Sequence, residues 1–353
     1  MASISAVAGA FALVLFFEAV FAGESDQIVA YIEHSDADVW VMQKGVSNMH
    51  MATSFVWDWK ADRVEAIEAV NRVTPILYLN TVMEAGARNW FSFIVGLEEG
   101  DPRAGPWEMV AGEAHPGPGE AVVPSVLSDL TGLGIGDGVS IAGRDFSIVG
   151  LSGDTFSMAN SITFIAMADL SDIMSTIGST SYLLVDAAPG VDGAALAARI
   201  RETVEKVNAL PKAEFIDSDW EVAMQMGLEI IGLMTFIGGT LAIMLTGFIV
   251  YTHVAQRERE LAVMKALGVR DRAIYAGIMF QVGCITVLAF LLAAGLVSLA
   301  VPLTEWLVPQ ITLSVTAEAL LRVGAAAVAV SLAASVMPVR KVVGVDPVSA
   351  FHE

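Results

Sequence analysis

Apolar residues gather into four runs, at 4–22, 222–252, 273–301 and 323–339. Crossing a hydrocarbon core of about 30 Å takes about 20 predominantly apolar residues in a helix. The first run holds one ionisable residue, Glu18, and the second only Glu229, near its start. The third has none. The fourth is shorter and rich in Ala, and it ends at Pro338 and then Arg340-Lys341. Each run predicts a membrane helix. For residues 4–22 a cleaved leader is the alternative, because Val20-Phe21-Ala22 ahead of Gly23 suits a peptidase that prefers small residues. No basic residue precedes that run, and it is long enough to span.

Between the first two runs the pattern changes. Alternating or short apolar segments predict strands at 38–42, 75–81, 90–95, 163–167, 182–185 and 213–216. Segments 139–141 and 146–151 flank Ala142-Gly143-Arg144 and predict a hairpin. Helical spacing appears over 61–70, where Val64, Ile67 and Val70 align. It recurs after Asp192, a capping residue, with Leu196, Ile200, Val204 and Val207 on one face. Segment 100–119, dense in Gly and Pro, predicts a mobile loop or a sub-domain boundary. Ser218-Asp219-Trp220-Glu221 fits a capping box and would start a helix running to about Gln256. Such a helix is roughly 55 Å long, so part of it would project from the bilayer as a stalk. A break at Gly238-Gly239 is the alternative.

The predicted fold class is therefore a membrane α-helical chain with four transmembrane helices and an α+β extracytoplasmic domain inserted between the first and second. Its segments are a first transmembrane helix (1–23), the inserted domain (24–217), a stalk with the second helix (218–256) and an inner loop (257–272). A third helix (273–303), an outer loop (304–322), a fourth helix (323–339) and a tail (340–353) follow.

Charge orients this arrangement. The 353 residues are 55% hydrophobic and 16% charged, with mean hydropathy +0.63 and net charge −20. Soluble domains carry about 25% charged residues. Residues 23–221 hold 30 Asp and Glu against 11 Lys and Arg, which is −19 of the −20. Nucleic acid would be repelled. The short loop after the second run is basic, with Arg257, Arg259, Lys265, Arg270 and Arg272 against Glu258, Glu260 and Asp271. Basic short loops mark the cytoplasmic side. Four crossings then put both termini in the cytoplasm and the acidic domain outside. The single cysteine, Cys284, excludes an intramolecular disulfide and reads as a small packing residue.

Catalytic chemistry is not written here. No Gly-Lys pair exists, so there is no Walker A loop. Gly132 to Gly138 is glycine-rich, but it follows a helical pattern and precedes a strand, the reverse of a dinucleotide site, and reads as a turn. The five histidines lack ligand spacing, no Gly-x-Ser-x-Gly elbow occurs and no EF-hand register is present. No catalytic, cofactor-binding or metal-ligating residue is therefore expected. Glu18 is costly in lipid, and reads equally as a functional group or as one near the outer interface. Gly238, Gly239 and Gly247 are candidates for close helix packing in a dimer, or simply reflect the glycine content of membrane helices.

The inner loop is the candidate site. Leu261, Met264 and Leu267 fall on one side of a short helix, with Arg257, Glu258, Arg259, Glu260 and Lys265 supplying its polar faces. Gly268 can stop it, and Asp271 can cap the next helix. An amphipathic turn of this kind can rest on lipid headgroups or fill a groove on a cytosolic partner.

At these residues the chain resembles the FtsX-like/MacB-type permease family of ABC transporters. The likeness rests on Arg257-Glu258-Arg259-Glu260-Leu261 running into Lys265-Ala266-Leu267-Gly268 after the second span. Gly119-Glu120-Ala121-Val122-Val123, Leu133-Gly134-Ile135-Gly136-Asp137-Gly138 and Asp145-Phe146-Ser147-Ile148-Val149-Gly150 resemble its outer domain. Ala37-Asp38-Val39-Trp40-Val41 resembles the strand after its first span. Pro338-Val339-Arg340-Lys341 and Asp346-Pro347-Val348-Ser349-Ala350 resemble its closing motif. One departure is that the family has a basic amphipathic helix before its first span, whereas here the apolar run begins by Ile4: the start lies further upstream, or that helix is absent.

The resemblance implies a non-catalytic permease of the bacterial plasma membrane, paired with a second permease copy as a homo- or heterodimer. A separate cytoplasmic ABC ATPase would carry the Mg-ATP, and 257–268 would be the coupling helix that docks on it. Motion outside would extract or expel lipid, lipoprotein or hydrophobic compounds, with a periplasmic adaptor as a further partner. The cell-division branch, which regulates wall hydrolases, typically has a smaller outer domain. A membrane sensor or adhesin without an ATPase is the other reading.

Overall fold

The computed structural model describes residues 2–158, 160–225 and 229–343. The chain divides into two compact units: Met1–Gly23, Glu229–Leu307 and Leu313–Glu353 form one, Glu24–Leu228 and Val308–Thr312 the other.

The first unit is helical. It holds the beginning of α1 (Ala2–His34), then α7 (Glu229–Gln256), α8 (Glu258–Ala266), α9 (Asp271–Leu307) and α10 (Ala317–Val343). Among the described residues three helices, at 4–34, 229–249 and 271–307, are long and apolar enough to cross a membrane. The fourth apolar run does form a helix, α10, but it is not among those three, and it carries Glu318, Arg322, Arg340 and Lys341. Small side chains bring these helices together. Val7, Ala8 and Phe11 of α1 share a core with Ala242 of α7, Ala289 and Ala293 of α9, and Ala327 of α10. With no water to expel between helices in lipid, close backbone approach supplies the contact energy. Gly324 illustrates it, since a Cβ there would lie 3.0 Å from the Phe290 ring. Cys284 is exposed on α9 rather than packed as expected.

The second unit is α+β. Its elements run β1 (Val39–Gln43), β2 (Val56–Trp57), α2 (Asp58–Glu65), β3 (Val70–Ala85), β4 (Arg88–Leu97), β5 (Met109–Gly112), β6 (Glu120–Pro124) and α3 (Ser125–Thr131). Then come β7 (Gly138–Ile141), β8 (Arg144–Ser152), β9 (Ile162–Ala166), α4 (Met167–Met174), β10 (Ser179–Thr180), β11 (Tyr182–Ala187), α5 (Gly193–Thr203), β12 (Val207–Pro211) and α6 (Lys212–Ala223). A mixed sheet has the order β12-β1-β11-β3-β4-β9-β6-β8-β5, and β7 pairs with both β3 and β8. The long strand β3 joins its halves: Ile76 pairs with Tyr182 of β11, and the next residue, Leu77, with Gly96 of β4.

Strand alternation sorts the side chains. One face carries Trp40 and Met42, Tyr182 and Leu184, Ile76 and Tyr78, Phe93 and Val95 into a single core. Tyr31 and Ile32 from the end of α1, and Phe215 of α6, close over it. Trp40 is fully buried between them, its ring centroid 6.1 Å from Tyr31 and 5.0 Å from Phe215. The other face is covered in two parts. Val39, Val41, Leu183 and Val185 meet α2 and α5 through Val64, Leu196 and Ile200. Leu77, Ile94, Ala121 and Ile165 meet α3 and α4 through Leu127 and Leu170.

Several sequence expectations shift. The hairpin forms as expected, with Ala142 (φ 51°) and Gly143 (φ 81°) both left-handed, as a two-residue hairpin turn requires. Asp192 caps α5 by accepting from the Ala195 N–H at 3.2 Å. Val204 and Val207 lie past that helix, Val207 in β12. Helix 61–70 ends by Glu65, and Val70 already begins β3. Residues 213–216 are not a strand: they lie in α6, which starts at Lys212 because Pro211 ends β12 and has no N–H to lose at a helix start. The capping box at 218–221 is therefore inside a helix. A stalk unbroken to Gln256 crosses residues 226–228, which lie outside the described residues.

Asp219 serves a different purpose. Fully buried, it accepts from the Met49 and His50 N–H groups at 2.8 and 3.3 Å and from His50 Nδ1 at 2.7 Å. It fastens α6 to the loop after β1. The Gly/Pro-rich segment is fastened too: Arg103 reaches Asp101 at 3.0 Å and contacts Asp186, and Thr74 donates to Asp101 at 2.7 Å. The Arg103 hydrogen bond holds the Asp101 carboxyl well below the usual carboxylate range. Burial pushes Asp186 the other way despite the same arginine.

Two outcomes follow from these anchors. Asp219→Ala leaves two backbone donors and a buried imidazole unpaired, and should cost about 3 kcal/mol, read as a lowered unfolding midpoint, with Asp219→Asn costing less. A depressed folded pKa contributes stability that is present above the unfolded value of about 4 and is lost as pH falls through the folded value. Stability of the α+β unit should thus drop on acidification below about pH 4, and Asp101→Asn should reduce that drop in pH-dependent unfolding curves.

Candidate functional site

The turn between α7 and α9 is built by the stop signal at its end. α8 closes with Leu267 N–H donating to Val263 O (3.0 Å), Gly268 N–H to Lys265 O (3.0 Å) and Val269 N–H to Met264 O (3.1 Å). These last two bonds form a Schellman cap, which needs a left-handed residue, and Gly268 has φ +86°. The chain then turns into α9 at Asp271, whose carboxylate lies 3.6 Å from Lys265. Arg257, between α7 and α8, sits 3.9 Å from Glu260 in an exposed pair. Exposed pairs of this kind contribute little stability. Their role is to keep both charges at the surface of the turn.

The apolar positions are uncovered. Met264 is exposed, and Leu267 is 79% exposed beside exposed Val263 and Val269. An apolar ridge flanked by charge is what a groove on another protein accepts. Glu258, Arg259 and Leu261 occupy helical positions, but their side chains lie outside the described residues.

The candidate packing glycines separate. Gly238 is buried, and a Cβ on it would lie 3.7 Å from Val14 and 3.9 Å from Phe17, so it faces α1 of the same chain. A Cβ on Gly239 would meet no atom of the described residues within 4 Å, and both Gly239 and Gly247 are half-buried. Glu18 has a partner that sequence reasoning missed. Arg322 of α10 makes an ion pair with it, across 304 positions of chain that no local pattern spans. A neutralised carboxylate is far cheaper in a membrane helix than a lone one.

Two family models match the chain. The MacB-like periplasmic core domain covers residues 1–203, and the FtsX-like permease C-terminal region covers 232–347. An uncharacterised ABC transporter permease of Mycobacterium tuberculosis (Rv0072) is 24% identical over 320 residues, 91% of this chain and 86% of the relative. Another from Mycobacterium bovis (Mb2592) is 24% identical over 345 residues, 97% and 92% of the two chains. Among solved structures, the periplasmic region of MacB from Actinobacillus actinomycetemcomitans covers 54% of this chain and 96% of its own, at 10% identity and a TM-score of 0.40. The extracellular domain of the noncanonic transporter YknZ from Gram-positive bacteria covers 50% and 100%, at 12% identity and 0.37. With both models matched in order along one chain that has apolar helices and an inserted α+β unit, this protein belongs to the MacB/FtsX type of ABC transporter permease.

Proposed function

We propose that this permease converts ATP binding and hydrolysis on a separate cytoplasmic ATPase into movement of its outer unit, and so extracts or exports lipid, lipoprotein or hydrophobic compounds. The observation that carries the reading is the turn at 257–268. It lies within the FtsX-like match, ends in a fixed Schellman cap and presents Met264 and Leu267 uncovered. An ABC permease implies an ATPase partner, and this turn is the coupling helix that meets it, Leu261 completing the apolar side and Arg257, Glu258, Arg259, Glu260 and Lys265 its charged margin.

The rest of the reading follows from charge. The basic turn lies in the cytoplasm and the acidic unit outside the plasma membrane, with α10 as the fourth crossing and both termini inside. The chain works as a dimer, homo- or heteromeric, with Gly239 and Gly247 at the approach of the two copies. No catalytic, cofactor or metal residue is assigned to this chain; Mg-ATP belongs to the partner. A periplasmic adaptor is a further partner.

The test is capture. Met264→Asp together with Leu267→Asp should abolish co-purification of the co-expressed ABC ATPase with the permease, while membrane insertion and the fold of the outer unit persist. Capture unchanged by both substitutions would reject the coupling-helix assignment.

A further inference from the structure

The second face of the sheet is covered in two parts, by α2 with α5 and by α3 with α4, and where those covers part the fold leaves a cleft of about 960 Å³. Ligand clefts run from roughly 300 to 1,000 Å³. Val73, Pro75 and Leu77, alternate residues of β3, line it and share one face. Val73 packs with the first cover and Leu77 with the second. Every lining residue belongs to the α+β unit, so the cleft is complete within it.

The walls carry one sign of charge. Asp58, Asp62 and Glu65 lie at i, i+4 and i+7 along α2, and Ala61 also lines the cleft, so one face of the helix is turned to it. Glu98 and Glu99, just past β4, line it as well. No Lys or Arg lines the cleft, and among the described residues none of the five carboxylates has an ion-pair partner. Like charges four residues apart oppose a helix, and a cleft lined by one sign concentrates the opposite one.

Spacing and lining select the occupant. From Asp58 to Glu65 the helix rises about 10 Å, too far for one ammonium group to serve all three carboxylates. The rise of about 6 Å from Asp58 to Asp62 is close to the roughly 6.7 Å between alternate side chains of an extended chain. Trp57, 54% exposed, precedes Asp58 and pairs across β2 and β10 with Ser179, which lines the cleft. Its ring offers an apolar surface that also attracts cations. Met167 and Ala168 of α4 give uncharged contact. Five carboxylates make a poor seat for the hydrophobic cargo proposed above, so the occupant belongs to a partner.

We propose that this cleft docks an extended basic segment of a separate partner protein, with alternate Lys or Arg side chains against Asp58, Asp62 and Glu65 and the intervening apolar ones against Pro75 and Met167. Glu98 and Glu99 hold further positive charge of the same segment. The inference goes beyond the coupling-helix reading and does not depend on it.

A fluorescein-labelled octapeptide of alternating Lys and Leu is titrated with the purified full chain and read by fluorescence anisotropy. Asp58→Asn, Asp62→Asn and Glu65→Gln together should weaken binding about tenfold. Removing the same charge at exposed Asp129, Glu202 and Glu214, which lie outside the cleft, should leave it unchanged. Ala168→Lys, at an exposed position, should weaken it too. As competitors, spermine and an alternating Lys-Ser octapeptide should each require about tenfold more than the unlabelled Lys-Leu peptide. Equal affinities of the two triple variants would reduce the binding to net charge and overturn the site. Displacement by spermine at the concentration of the unlabelled peptide would make it a site for small polycations, and would overturn the docking of a partner segment.

Discussion

A peptide group or charge cannot be left unpaired in hydrocarbon, and most of this chain's organisation follows from that one cost. It sorts the sequence into charge-poor helices and an α+β unit that holds nearly all of the net charge. It also explains the ion pair between Glu18 and Arg322, which lets one carboxylate remain within α1. Because a helix satisfies its own backbone in lipid and in water alike, α1 need not stop where apolarity stops. It runs on to His34, and residues 28–32 change partner from helices to sheet.

That continuation builds the end of α1 into the core of the α+β unit. Tyr31 and Ile32 from α1 and Phe215 from α6 close over the same face of the same sheet, with Trp40 held between them. α1 is itself the first candidate membrane helix, and α6 precedes the second, α7, in sequence. Close-packed interiors transmit strain rather than absorb it. The two helices thus share one core on one sheet face, and β3 joins both halves of that sheet. The Asp219 anchor keeps α6 from sliding over that core, and the Arg103 cluster keeps the Gly/Pro-rich segment bound to β3 and β11.

Local signals were legible where local physics decides. The Ala142-Gly143 hairpin, the Asp192 cap and the Gly268 stop each depend on backbone geometry within a few residues. Misreadings arose where a distant partner decides. Ala213 to Ile216 looks like a short strand, yet Pro211 starts a helix there that buries Phe215 and, four residues on, Asp219. Ser218 to Glu221 has the composition of a capping box, but its Asp219 carboxylate is recruited by Met49 and His50, 170 and 169 residues away. All four apolar runs lie in helices, three of them long and apolar enough to cross a membrane, but hydropathy does not mark helix ends, and α1 continues eleven residues past Gly23 into what the sequence reads as the polar domain. The inner turn's residues were visible, and so was its stop. What it meets could only come from the family.

The proposed function puts the acidic sheet unit and the basic turn on opposite sides of one membrane. Cys284 is the chain's sole cysteine, so Cys284→Ser gives a background on which single cysteines can be placed. Ile177, 91% exposed, reports the outer unit, and Leu267, 79% exposed, reports the turn. A membrane-impermeant maleimide applied to intact cells should label Ile177→Cys at once and Leu267→Cys only after the membrane is opened. Labelling of Leu267→Cys from outside, in cells that remain sealed, would put the turn on the same side as the sheet unit and overturn the proposed function.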